Sequence, residues 1–369
     1  MYFGYSKQKN FILLELLFYK PANAKLEEII PDILDLQMKK YILLLITIIL
    51  CFSCAGSHKR DQSQEDLSSE KKSVNDSIVP TSIVRNVKQD SKGNIWVASW
   101  DGIFKFNGEN FVNVTKEVSK ARFFSVLEDV NGKFWFSTIS AGVFYFDGTN
   151  FQNFTSKDGL ADNTVMEIFE AKDKSIWFST EGGVTKYDGR TFQNFTAQEV
   201  LPNNEVYSIA EDSEGRFWFA TKSGIGIYNG RTITPLINDG KPFENVRIIL
   251  KDMQGNIWFG GNDGLWVYKE GKLKNYSKSF IGYIYQDKEG NILTASKDQS
   301  GEKLIKDYNN KENSESWNLS RYPVNFQNQK DVKPEIIKPN EYMIFGILED
   351  NNKTIWYGTL YGVKRITKH

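Results

Sequence analysis

The sequence predicts an all-β fold, a seven-bladed β-propeller of four-stranded antiparallel meander blades. Two observations predict it. First, a phrase of the form Val-x-x-Ile-x-x-Asp-x-x-Gly-x-x-Trp-Phe-x-Thr-x-x-Gly-Val-x-x-Tyr-Asp-Gly-x-x-Phe recurs at steps of about forty residues. Its tryptophan position falls at Trp96, Trp135, Trp177, Trp218, Trp258, a degraded Leu293 and Trp356. Second, strand and turn signals alternate within each copy, the pattern of a meander. A period of this size, built from strands, marks a ring of blades. Such a fold hosts many unrelated activities, so function has to be argued from sites.

The copy beginning at Val165 serves for all. Val165 to Phe169 is strand A, Ile176 to Ser179 strand B, Val184 to Tyr187 strand C and Thr191 to Phe195 strand D. The A–B turn carries Asp90 with Gly93, Asp129 with Gly132, Asp212 with Gly215, Asp252 with Gly255 and Asp287 with Gly290. There the carboxylate can accept turn N–H groups, and the glycine can adopt a left-handed backbone. Ala171 with Lys174 and Asp350 with Lys353 depart from that pair. The C–D turn reads Asn107-Gly108, Asp147-Gly148, Asp188-Gly189 and Asn229-Gly230, which predicts primed two-residue hairpin turns. An aromatic at one fixed strand-B position in each blade is expected to pack between blades. The turn aspartates are expected to brace turns rather than bind metal, because one carboxylate per blade makes no oxygen cage.

The sixth copy, from Ile281 to Ala295, is weak, and a long polar stretch follows. Residues 297–342 are expected to hold the outer strands of blade six plus an insertion. Leu304-Ile305 and Trp317-Asn318-Leu319 are expected as strands, and 324–338 as a loop. The seventh copy ends after strand C, at Val363 to Thr367. An unpaired outer edge invites wrong pairing. Residues 76–81 are therefore expected to supply the missing strand and close the ring.

The chain's beginning reads as an address. Met38-Lys39-Lys40, the apolar run Tyr41 to Phe52 and the small-residue exit Ser53-Cys54-Ala55-Gly56 form a signal over 38–53. The exit resembles a bacterial lipoprotein signal, which implies lipid attachment at Cys54. Residues 1–37 carry Glu15, Glu27, Glu28, Asp32 and Asp35, which do not suit a basic head, and are expected to be an over-extended start. Residues 54–79 are polar and read as a flexible tether, with the propeller over 80–369.

Composition narrows the chemistry. The 46 basic and 46 acidic side chains balance, which offers no global attraction for nucleic acid. The only cysteines are Cys51 and Cys54, and the only histidines are His58 and His369. The repeats thus hold no Cys/His zinc site and no Ser–His or Cys–His nucleophile pair. No metal or other cofactor is expected.

The repeat phrase resembles the two-component regulator propeller repeat. The resemblance is carried by Asp158-Gly159-Leu160-Ala161-Asp162-Asn163-Thr164-Val165, by Leu201-Pro202-Asn203-Asn204-Glu205-Val206, and by Ile257-Trp258-Phe259-Gly260 with Gly264-Leu265. It covers about residues 80–369. In that family such repeats form the extracytoplasmic sensing part of bacterial sensor proteins, often as paired propellers ahead of a membrane helix and a kinase. The resemblance implies a propeller outside the cytoplasm that binds a ligand or a partner. This sequence shows one propeller and no kinase.

In a meander propeller the B–C turns and D–A loops share one face around the central channel. The candidate ligand face is Trp100, Asp101, Glu181, Lys222, Asn262, Asp263 and Tyr361, which differ between blades while the flanking strands do not. Trp100 and Tyr361 could stack on a sugar or base, and the others could hydrogen-bond it. Asn163 and Asn204 are expected to brace loops. The expected partner is a glycan, a small molecule or an envelope protein, bound by a monomer held at the membrane by its lipid. Two alternatives stay open: a lyase or glycoside hydrolase using carboxylates among Asp101, Glu181 and Asp263, and a docking scaffold for a membrane-associated complex.

Overall fold

A computed structural model describes residues 79–197, 201–299, 303–304, 314–324, 326 and 332–367. Blade one shows the plan. Val84–Gln89, Ile95–Ser99, Gly102–Phe106 and Phe111–Asn113 are its strands A to D, each paired antiparallel with the next. The strands A of the other blades are Arg122–Glu128, Val165–Glu170, Val206–Glu211, Ile248–Lys251, Ile281–Gln286 and Ile344–Glu349. Each touches the strand A of both neighbours, so the seven ring the central axis.

The apolar core divides into seven clusters, each lying between two consecutive blades. The last joins Leu348 and Trp356 of blade seven to Val84, Val87 and Phe104 of blade one. Seven interfaces for seven sheets mean a closed ring, since an open row of seven would have one fewer. The strand-B tryptophans sit in these interfaces, as their repetition predicts. Trp96 lies 4.1 Å from Phe134, Trp177 4.1 Å from Phe217 and Trp218 5.0 Å from Tyr268, each ring belonging to the following blade.

Each indole is also tied to its own turn. Asp90 Oδ1 accepts the N–H of Lys92 and of Asn94, and Oδ2 accepts the Asn94 amide and the Trp96 Nε1–H at 2.8 Å. The Trp–Asp bond recurs at 135/129, 218/212, 258/252 and 356/350, at 2.8–3.0 Å. Burial pushes the Asp90 carboxyl up, but the Trp96 and Asn94 hydrogen bonds outweigh it and leave the group below its ordinary value. Where Ala171 replaces the aspartate, Trp177 donates instead to Ser175 Oγ at 2.9 Å. Where Leu293 replaces the tryptophan, Arg321 stands opposite it on the next strand, 3.9 Å from the buried Asp287. Lys174 and Lys353 take the left-handed backbone that glycine holds in the other copies, with φ of 71° and 61°.

A second bond joins blade to blade at the same end. The N–H following the turn aspartate donates to the last strand-A side chain of the next blade. Ser91 donates to Glu128 at 2.6 Å, Val130 to Glu170 at 3.0 Å, Lys172 to Glu211 at 2.8 Å, Met253 to Gln286 at 2.7 Å and Asn351 to Gln89 at 3.0 Å. Between blades four and five the position is Lys251, which has no acceptor.

The structure corrects three expectations. The C–D hairpins turn one residue later than Asn-Gly as the central pair requires. Asn107 pairs with Asn110, leaving Gly108 and Glu109 at the centre, and Gly108 takes φ 103°. The Asn107 side chain is thereby freed to accept the N–H groups of Glu109 and Asn110. In blade six, Trp317–Tyr322 is strand C, but strand D is Glu335–Glu341, which overlaps the stretch expected to be a loop. Its mostly exposed residues mark an outer edge, and Pro339 is tolerated there because an edge strand leaves some N–H groups unused. Leu304 belongs to a separate ribbon of Lys303–Leu304 with Ser314–Glu315, outside the blade sheet; Ile305 lies outside the described residues.

Ring closure is visible at its described end. In blades two, three and five, the glycine after the B–C turn leaves no room for a Cβ. That position would lie 2.0, 2.3 and 1.8 Å from the carbonyl oxygen of Phe154, Phe195 and Ser277, each at the end of strand D. In blade seven the carbonyl of Pro80 takes that place, 2.4 Å from the Cβ position of Gly362. The expected closing segment therefore reaches the outer side of blade seven at residues 80 and 81. Its start, and the expectations for 1–37, 38–53 and 54–78, lie outside the described residues.

Candidate functional site

The site follows from a defect repeated in strand A. In a regular strand, successive side chains point to opposite faces. Here the pairing slips near the start of the strand. Val84 faces Ser99 and Asn86 faces Ala98, with Arg85 left over. The same slip leaves out Phe124, Met166, Tyr207, Gly282 and Phe345. A bulge re-aims side chains and turns two neighbours toward one side. That side is the axis of the ring. Arg85 with Asn86, Phe124 with Ser125, Met166 with Glu167, Tyr207 with Ser208, Arg247 with Ile248, Gly282 with Tyr283, and Phe345 line a central cavity of about 200 Å³.

Its electrostatics are unusual for an interior. The Arg85 guanidinium lies 4.0 Å from the centre of the Phe345 ring and 4.9 Å from that of Phe124. Arg247 lies 4.3 Å over Tyr207. Such contacts stabilise a cation by about 0.5–2 kcal/mol each but supply no counter-charge. Among the described residues neither guanidinium has an ion pair, and Arg85 Nε and Asn86 Oδ1 are buried without a hydrogen-bond partner. Burial, together with the neighbouring Arg247 charge, lowers the Arg85 pKa to about 10.

Glu167 shares the cavity, but its Oε2 accepts the Ile209 N–H at 2.8 Å and so is turned to the blade-four backbone. Burial raises its pKa, more than hydrogen bonds from Ile209 and Ser208 and the charge of Lys88 lower it. Glu167 is half-buried at the cavity wall. Burial likewise raises the Tyr283 phenol well above its ordinary value. The lining thus combines two unpaired cations, aromatic walls and a carboxyl biased toward its neutral form.

A wider cavity of about 700 Å³ shares Tyr207 and Arg247 with the channel and adds Glu205, Lys222, Asn245 and Asn262. Glu205 is occupied there by Lys222 Nζ at 2.8 Å and the Tyr207 hydroxyl at 2.9 Å. Of the candidate face, Lys222 and Asn262 reach this cavity, and Glu181 lines neither it nor the channel. The others are placed elsewhere. Trp100 lies under Arg122 at 4.5 Å, with its indole N–H buried and unpartnered among the described residues. Asp101 accepts the Ser82 N–H at 3.0 Å and Asp263 the Glu244 N–H at 2.7 Å, so both brace D–A loops. Tyr361 packs edge-on against Tyr342 at 4.6 Å. Trp100 and Tyr361 line neither cavity. Asn163 and Asn204 brace loops through the N–H of Ser156 and Ala197.

The bulge residues were not singled out from the sequence, although a signal exists. Aligned on the repeat, strand A keeps an apolar first and fourth residue in every blade. The two between them run Arg-Asn, Phe-Ser, Met-Glu, Tyr-Ser, Arg-Ile, Gly-Tyr and Phe-Gly. Variation inside an otherwise constant core strand marks the surface that the repeat does not need for packing.

Comparison with known proteins agrees with this architecture. The two component regulator propeller family matches residues 200–223 and 240–263, which hold the D–A loops and strands A and B of blades four and five. No curated protein matches the sequence. Among solved structures, the extracellular domain assigned to a hybrid two component system of B. thetaiotaomicron is 22% identical, with a TM-score of 0.65 over 79% of this chain and 40% of that one. The extracellular domain assigned to a one component system of the same organism is 20% identical, with a TM-score of 0.59 over 79% and 39%. This chain therefore spans about two fifths of the length of those structures. Streptogramin B lyase is 15% identical, with a TM-score of 0.58 over 78% of this chain and 94% of the enzyme. At these identities the likeness speaks for the fold. Of the seven phrase-bearing blades, two are matched directly by the family model, so blades four and five carry the two component regulator propeller repeat.

Proposed function

We propose that this chain is a non-enzymatic, sensor-like binding propeller of the bacterial cell envelope, held at the membrane by lipid on Cys54, and that its ligand enters the central channel. The observation that carries the reading is the bulged pair in strand A. Residues that could have repeated with the rest of the core instead differ in every blade and converge on one cavity. Extracellular sensor domains among the structural neighbours support a location outside the cytoplasm.

A lyase reading has the streptogramin B lyase fold in its favour. One S. aureus virginiamycin B lyase structure is of a variant made catalytically inactive by a histidine-to-alanine exchange. The repeats here hold no histidine before His369. Two of the three carboxylates that a glycosidase would recruit brace loops instead, at Asp101 and Asp263. Binding is the better reading.

The test exposes the purified chain to glycan and metabolite collections and to envelope extract, reading thermal stabilisation and affinity capture. Binding that is lost in Tyr207→Ala and kept in Trp100→Ala is the expected result. Binding that survives Tyr207→Ala, or loss in Trp100→Ala alone, overturns the channel as the site.

A further inference from the structure

The channel holds two guanidinium groups and no carboxylate that pairs with either. An unpaired buried cation is costly, and folded proteins normally place an anion beside it. The nearby acidic groups are accounted for. Glu205 is taken by Lys222 and Tyr207, at 2.8 and 2.9 Å. Glu167 is turned to the Ile209 N–H. Aromatic rings hold Arg85 on two sides and Arg247 on one, which orients the guanidinium planes but leaves their edges free. Arginine edges match carboxylate and phosphate oxygens, often through two parallel bonds. The buried, unpartnered Arg85 Nε is such a donor. The two charges also repel one another, which one bridging anion would relieve.

We propose that the central channel binds a small doubly charged anion between Arg85 and Arg247, with its body against Phe124, Phe345 and Tyr207. The inference rests on the binding reading above and specifies its ligand class. The cavity of about 200 Å³ suits a compact molecule. At about 30 Å³ per water it has the volume of roughly seven waters. A large glycan would have to remain in the wider cavity at the mouth. Arg85 is the more enclosed of the two cations, so the part of the binding that it carries should weaken with added salt less steeply than at an exposed basic patch.

The test titrates the full chain with succinate, malonate, inorganic phosphate and sulfate, each against chloride at matched ionic strength, by calorimetry and thermal midpoint. The expected result is binding and a raised midpoint with at least one dianion. The arm that responds separates carboxylate from oxyanion chemistry. Arg85→Met and Arg247→Met should each weaken binding by about 10-fold or more, the loss of a charge-assisted hydrogen bond. Arg247 is exposed at the mouth, so its variant tests charge without disturbing the core. No midpoint shift beyond chloride with any dianion overturns the proposal, as does unchanged affinity in Arg247→Met. If every dianion fails while Tyr207-dependent capture of another ligand persists, the binding reading stands and only this ligand class falls.

Discussion

At their last residue the seven innermost strands carry Gln89, Glu128, Glu170, Glu211, Lys251, Gln286 and Glu349. At the bulge position they carry Arg85, Phe124, Met166, Tyr207, Arg247, Gly282 and Phe345. The first set is nearly uniform, and five of its members accept an N–H from the blade before. The second set has no common chemistry, and among the described residues its two cations have aromatic neighbours but no ion pair. One strand therefore does two jobs four residues apart. At the turn end five of the seven polar groups meet a designated donor, so changing one of those leaves a donor stranded. At the channel end the backbone slip has released the side chains from the repeat, and they vary without cost to the sheet.

If this division holds, substitutions at the two ends should differ in size and in sign. The largest effect belongs to the indoles. Trp258→Ala removes a fully buried ring from the interface between blades five and six and takes one donor from the Asp252 carboxylate. A loss of about 3–5 kcal/mol is expected from urea unfolding. Glu211→Ala breaks one blade-to-blade bond and should cost about 1–3 kcal/mol by the same measurement. At the exceptional junction the sign reverses. Lys251→Gln supplies an acceptor where Ser213 has none, and should stabilise by about 0.5–1.5 kcal/mol. A variant no more stable than the parent would show that the missing bond is not what distinguishes that junction.

Channel substitutions should barely register in the same assay. Arg85→Met removes an unpaired, desolvated charge and keeps the volume. Its unfolding free energy should stay within about 1 kcal/mol of the parent or rise above it. Glu167 gives a pH signature. Its folded pKa is raised by burial, so the folded state holds the proton at pH values where the unfolded chain has lost it. Its contribution to stability is therefore present below the ordinary glutamate range near about 4.3 and is lost as pH climbs toward the raised value. Glu167→Gln should flatten that part of the stability–pH curve. An unchanged slope would show that Glu167 titrates as an exposed carboxylate does.

Much of the fold was legible because its signals are periodic. Trp96, Asp90 and Gly93 recur with the blade, and repetition turns weak local preferences into a strong pattern. What escaped had no period or depended on distance. Glu335–Glu341 lies far from its partner Trp317–Tyr322, with proline inside it, so nothing local marks it as a strand. The Trp–Asp bond joins two motifs that were each visible, but their pairing depends on how the strand returns to its turn. The channel lining escaped for a related reason. Variability in exposed turns such as Trp100-Asp101 drew attention, whereas in the channel it hides inside a strand whose apolar frame looks uniform. Trp100 and Tyr361 are expected to stack on a ligand, and the contacts they make instead, Arg122 over the Trp100 ring and Tyr342 at an edge-on angle to Tyr361, depend on neighbours distant in sequence.

The bond from Asn351 to Gln89 spans 262 residues of sequence and belongs to the junction that completes the circle. A nascent chain can lay down its early sheets as they emerge, yet the first of them keeps a bare flank until the last has been synthesised. Long-range closure of this kind is slow because ordering must precede the reward. During that interval the apolar side meant for Trp356 is available to any other strand edge. Premature termination anywhere before the final sheet should therefore yield insoluble product rather than a smaller soluble one, whatever the intrinsic strength of the blades already made.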